Sequence, residues 1–328
     1  AADPDVIKGC DFKSKEDFIN NLCKRWQYAN NPELQDSKLE EYKRFCETNT
    51  KSDFETFNEE KYFSVQMQDI DKLQNSLIKN KISVISKALK LRELRVLKGF
   101  TRLSPPGMGE SKTQSIVSSQ NEIDWLPVTV VNGEGIFIEF RNSELIEWSK
   151  QKGVIERVNL IKSSYDEICK EKNYDEEMII DINPIFVLIH TLSHLIIREL
   201  SFECGYATSA IRERLYINLK ESMSGILIYT ATSDSEGTLG GLSQMAEPER
   251  LERVILKCIE NSFFCSSDPI CKSSIENKDT DLSLASCHNC CHLPETSCEH
   301  FNRFLDRNLI HGFTDEFGNK VRGFFQNI

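Results

Sequence analysis

The chain has 328 residues and a mass of 37.7 kDa, with 39% hydrophobic residues and a formal net charge of −11. That is enough chain to bury a sizeable core, and it excludes a disulfide-stapled mini-protein. With 15 Gly, 9 Pro and no biased tract, collagen-like repetition and extended disorder are excluded as well. The acidic balance repels nucleic acid and anionic membranes overall. Residues 79–102 are the exception, with eight basic side chains against the single acid Glu93.

The first residues carry neither a basic start followed by an apolar run nor a Met, and the expected localisation is cytoplasmic. The most apolar stretch, 184–200, is interrupted by His190, His194, Arg198 and Glu199. It falls short of the roughly 20 clean residues that a bilayer crossing needs, so no membrane contact is expected.

In chain order, Phe18, Leu22 and Trp26 recur at helical spacing, and Asn31-Pro32 opens a second helix through Leu34, Leu39, Tyr42 and Phe45. Leu73, Leu77, Ile82, Ile85 and Leu89 continue a helical pattern over 64–98, although 91–103 also reads as extended. A Pro/Ser/Gln-rich loop follows over 104–121. WLPVTVV, the turn Asn132-Gly133-Glu134-Gly135 and IFIEF then read as a β-hairpin. Helices resume after Asn142, and Asn183-Pro184 starts a helix apolar on all sides, which makes it the expected central core helix. A short helix with Arg212 and Arg214 leads to two strands, LYINL and GILIYTA. A helix over 248–261, the cysteine-rich segment and a last helix over about 299–309 complete the pattern. The expected fold class is α+β, mostly helical, with a small mixed or antiparallel sheet and a C-terminal cysteine-rich zinc-binding region. The expected division is a helical region over 1–120, carrying the basic segment 79–102, and an α+β domain over 121–328 with its zinc-binding region at 265–298.

Six of the twelve cysteines fall within 34 residues, as C265-x5-C271-x15-C287-x2-C290-C291-x6-C298 with His288, His292 and His300 interleaved. Clustered cysteines with a C-x-x-C more often hold a metal than a disulfide in a reducing compartment. Zinc takes four soft ligands in a tetrahedron, and C-x-x-C places two thiolates on one tight turn. Cys287 and Cys290 are therefore the expected pair, Cys298 the third ligand, and Cys271 or Cys265 the fourth. Four thiolates leave no open coordination position, so the site is expected to be structural.

His190 and His194 stand at i and i+4, but Thr191 occupies the place where a metalloprotease helix has Glu. A buried structural pair is expected. The competing reading is a metal-dependent hydrolase or nuclease using His190, His194, Asp234 and Glu236. The loop at 234–241 lacks the Lys-Ser/Thr end of a phosphate-binding loop, and in GMGESKT at 107–113 Ser111 stands where that loop needs Gly, so no ATPase and no catalytic residue is expected. Arg92, Arg95, Lys98 and Arg102 are the expected contacts to phosphates or to an acidic partner.

The segments LRELRVLKGFTRL, NGEGIFIEF, HTLSHLIIRELSFECGY, AIRERLY, GILIYTATSDSEGTLGGL, CSSDPIC and ASCHNCCHLPETSCEHFNRFLDR, in this order, closely resemble the C-terminal half of DrmB-like proteins of the DISARM anti-phage system. The end of the chain resembles an MrfA-type zinc-binding (MZB) domain. The resemblance implies a zinc-bearing accessory subunit that works with a separate helicase on DNA, without catalytic residues of its own in this half. It matches Cys265, Cys271, Cys287, Cys290 and Cys298 to the family's cysteines and places Cys291 where an apolar residue is expected. Residues 1–55 lie outside it.

Overall fold

A computed structural model of the chain describes residues 37–47, 63–97, 99–100, 114–115, 127–171, 179–230, 241–268, 270–272, 282–315 and 317–326. The chain divides into two units, Ala1–Lys43 and Arg44–Ile328. The described residues of the first are the opening turns of helix α1 (Ser37–Cys46). The expected helix through Phe18, Leu22 and Trp26 lies outside the described residues.

The second unit is built on a five-stranded antiparallel sheet of β1 (Ser64–Met67), β2 (Ile82–Val96), β3 (Val128–Phe140), β4 (Ile211–Asn218) and β5 (Met223–Thr230). Its spatial order is β1, β2, β3, β5, β4. Helices α2 (Ser76–Lys79), α3 (Asn142–Ser149), α4 (Lys152–Glu171), α5 (Pro184–Cys204), α6 (Gly241–Gln244), α7 (Pro248–Asn261) and α8 (Asn308–His311) join it, with a small ladder of β6 (Gly312–Thr314) and β7 (Lys320–Arg322). The class is α+β, as the sequence implies. The sheet takes strands from both sides of residue 120.

Helix α5 is the axis of the core. Asn183 caps it by accepting the Phe186 N–H at 3.0 Å, Pro184 sits in the first turn, and Gly205 ends it at φ 72°. It is long and apolar enough to cross a membrane, yet 83% of its most apolar window is buried inside the protein. It packs on β4, β5 and α7. The period of two sorts the strands: Ile136, Ile138, Ile226, Ile228 and Leu215 join the core around α5, while Phe137 and Tyr216 point to the other face. There Phe45 stacks on Phe137 at 4.8 Å between ring centroids.

Four sequence expectations fail locally. Residues 64–98 form β1, α2 and β2 rather than continuous helix. The spacing of Ile82, Ile85 and Leu89 mimics a helical face, but β2 runs between two partners, with Ile85, Ser86, Lys87 and Ala88 all buried in a row. Residues 132–135 are no hairpin turn, because β3 continues through them and stays paired with β2 on both sides of a register shift at Ala88/Leu91. Gly135 serves close approach instead, since a Cβ there would lie 2.6 Å from the Ile228 carbonyl oxygen. Glu134, 2% exposed, turns inward. Its carboxylate accepts from the Leu242 N–H at 3.0 Å and the Ser243 hydroxyl at 2.6 Å, which caps α6.

Arg212 and Arg214 sit on strand β4 rather than a helix. The segment 299–309 is irregular up to the single turn α8. Phe301, Asn302 and Phe304 all have positive φ, which a right-handed helix excludes, and the Cys298 sulphur accepts the N–H groups of His300 and Asn302.

Candidate metal centre

The loop after α7 and the turn at 287–291 bring four cysteines together. Cys265, Cys271, Cys287 and Cys290 have their sulphurs within 4.8 Å of one another. The Cys265–Cys287 separation is 3.5 Å and the Cys271–Cys290 separation 3.8 Å. A tetrahedron with Zn–S bonds of about 2.3 Å has edges of about 3.8 Å, so the donor set and its spacing fit a zinc ion. These four residues would hold it, and with four thiolates the ion would supply a structural cross-link between the two loops.

The surroundings complete the site. The Cys287 carbonyl accepts N–H groups from Cys290 at 3.2 Å and Cys291 at 3.1 Å, which curls the C-x-x-C into one tight turn. Arg198 on α5 pins that turn by donating to the Asn289 carbonyl at 2.7 Å. Burial works against a Cys287 thiolate, yet backbone N–H groups of Cys290 and Asn289, with the Cys265 and Cys290 thiols, bring its pKa down to about 7. Burial pushes the Cys271 and Cys290 thiols up. Metal binding therefore has to displace protons from part of the set. Arg307, fully buried, donates to Cys271 Sγ at 3.2 Å and to the Ser262 and Ala285 carbonyls at 2.6 and 2.9 Å. Its positive charge faces a site that four thiolates and a divalent ion would leave doubly negative.

Cys298, expected as a third ligand of this set, is elsewhere. Its sulphur lies 3.2 Å from His190 Nε2, in a fully buried group with His194 and Glu213. The tight turns after Cys298 direct it toward α5 and away from the cysteine tetrad. Cys265 and Cys271, between which the sequence left the choice open, are both in the tetrad. Cys291 is buried in the hydrophobic core, as an apolar residue would be.

Among the described residues, His190 and His194 come together with Glu213; Asp234 and Glu236 lie outside the described residues. Sequence reasoning missed Glu213 because it assigned Arg212 and Arg214 to a helix. Read as a strand, IRERLYIN places Glu213 between Ile211 and Leu215 on the apolar face, where a carboxylate signals a buried site. Arg307 carried no sequence signal of its own.

Of the basic segment, Arg92 and Arg95 lie on β2, while Lys98 and Arg102 lie outside the described residues. Three residues apart on a strand, Arg92 and Arg95 point to opposite faces. Arg95 pairs with Glu93 at 2.5 Å, and Glu93 also lies 3.6 Å from Arg212. On the Arg92 face, Leu94, Val96, Val128 and Val130 form an exposed apolar surface.

A cluster of four thiols on an α+β scaffold is the donor set of a zinc-binding domain, and the family described as the MrfA Zn-binding domain (MZB) matches residues 192–291. That stretch contains all four cysteines of the tetrad, so over it the chain carries a zinc-binding domain of this family. Over 229 residues, 69% of its length, it is 38% identical to the DISARM protein DrmB of Bacillus paralicheniformis. The chain is DrmB-like over that stretch, and the match spans 40% of the relative's length.

Proposed function

We propose that this chain is a non-catalytic, zinc-stabilised component of a DISARM-type defence assembly, acting in the cytoplasm by docking a helicase and contributing to DNA binding. The observation that carries the reading is the cysteine tetrad within the zinc-domain match, because four protein thiolates leave a zinc ion no position for substrate or water. The similarity to a DISARM protein supports the defence context. The hydrolase alternative gains no support from His190 and His194, both fully buried.

DNA contact in this reading runs through the basic segment, and affinity falls steeply with salt and depends little on sequence. The test uses the chain with a helicase encoded beside it. Co-purification of the two, and loss of duplex or single-strand binding when Arg92, Arg95, Lys98 and Arg102 are changed to Ala, are the expected results. If the variant keeps DNA binding but loses the helicase, the segment is a docking surface. If the chain binds neither, the proposal fails.

A further inference from the structure

Behind the cysteine tetrad, between α5 and β4, four potential ligands converge from three distant parts of the chain. His190 and His194 stand one helical turn apart on α5, Glu213 is on β4, and Cys298 lies in the turn before α8. His190 and His194 have a relative exposure of 0%, Glu213 of 3% and Cys298 of 8%. His190 and Cys298 fall outside the stretch matched by the zinc-binding family, so that match does not account for the group. We propose that His190, His194, Glu213 and Cys298 form a second zinc site, closed and structural, that ties the core helix to the sheet and to the C-terminal segment.

The distances are those of a coordination shell. His190 Nε2 lies 3.1 Å from Glu213 Oε1 and 3.2 Å from Cys298 Sγ, and His194 Nε2 lies 3.6 Å from Glu213 Oε1. All four donor atoms fall within 4.8 Å of one another. Bonds of about 2.0–2.3 Å to nitrogen, oxygen and sulphur give tetrahedral edges of about 3.3–3.8 Å.

Protons alone satisfy this arrangement poorly. His194 Nδ1 lies 3.0 Å from the Cys291 carbonyl oxygen, which can only accept, so Nδ1 carries the ring proton. Nε2 then presents a lone pair to a carboxylate oxygen, and among the described residues it has no hydrogen-bond partner. Two acceptors facing each other in a dry core repel unless a cation lies between them. A proton on His194 Nε2 could bridge to Glu213, but it would put a full charge in the dry core with its ring centroid 4.7 Å from that of His190, and it would leave His190 Nδ1 without a partner among the described residues. One divalent ion resolves the conflict, since two neutral imidazoles, one carboxylate and one thiolate balance its charge.

The outer contacts are those of a prepared ligand set. The Cys298 sulphur accepts N–H groups from His300 and Asn302, both at 3.3 Å, which fix its direction. Glu213 accepts the Glu299 N–H at 3.1 Å and a hydroxyl proton from Ser193, which hold its carboxylate in place. The bond from His194 to the Cys291 carbonyl does the same for that imidazole. Cys291 directly follows Cys290 of the tetrad, so one tight turn serves both sites.

The test is metal content together with X-ray absorption at the zinc edge, on the full chain purified without chelator. Two zinc ions per chain are expected, with a first shell that mixes sulphur at about 2.3 Å with nitrogen and oxygen at about 2.0–2.1 Å. His194→Ala and Cys298→Ser should each lower the content by one ion and leave a sulphur-only shell, whereas Cys290→Ser should leave a shell dominated by nitrogen and oxygen. Because these variants can fail to fold, the wild-type measurement decides by itself. One zinc per chain with a sulphur-only shell overturns the proposal, as does a folded His194→Ala chain that retains two ions.

Discussion

The guanidinium of Arg307 lies 3.2 Å from the sulphur of Cys271, buried on all sides and held by two backbone carbonyls. A charged donor aimed at a ligand sulphur stabilises the thiolate and hence the metal complex. Arg307→Met should weaken zinc binding by about 10–100-fold, the usual effect of removing such an outer partner. Competition with a chromogenic chelator measures it, and an unchanged affinity would show that the arginine serves only the Ser262 and Ala285 carbonyls.

Cys290→Ser should remove the ion of the cysteine tetrad and disorder the segments that it cross-links. Structural zinc is coupled to folding at the level of roughly 10 kcal/mol or more. Hydrogen exchange should show lost protection at 262–272 and 284–292. Wild-type melting and wild-type zinc content in this variant would refute the role of Cys290.

Arg157 on α4 makes two bonds to Asp306, at 2.5 and 3.1 Å, in a site closed to solvent. Arg157→Met leaves the carboxylate without its cation and should cost about 3–5 kcal/mol in urea unfolding. Replacing Asp306 as well should recover part of that loss, since the penalty belongs to the stranded charge. A single variant as stable as wild type would contradict this account.

Burial, aided by the charges of Lys272 and Arg307, lowers the His311 pKa to about 4. The folded state therefore resists the proton that the unfolded chain accepts near pH 6.5. The stability this contributes is complete above that value and is lost as pH falls toward 4. It amounts to at most about 3 kcal/mol, and solvent screening on the exposed side of the ring reduces it. His311→Asn should flatten this part of the stability profile, measured by denaturant unfolding between pH 7 and 4. An identical pH dependence in the variant would rule His311 out as its source.

What the sequence determined by itself was local. The capped helix α5, with Asn183-Pro184 at one end and Gly205 at the other, follows from side chains within a few residues of each other, and so does the C-x-x-C turn at Cys287 and Cys290. The helical reading of 82–96 failed because the spacing of Ile82, Ile85 and Leu89 is that of a helical face without strand alternation, and only the neighbours β1 and β3 select the strand. The division of the cysteines was likewise out of reach. Cys298 is eight residues from Cys290, yet it faces His190, 108 positions away. A metal site is defined by distances of a few ångströms between side chains, and those depend on how α5, β4 and the C-terminal turns pack. Spacing along the chain could nominate the ligands, but only the packed core decided that they belong to two groups.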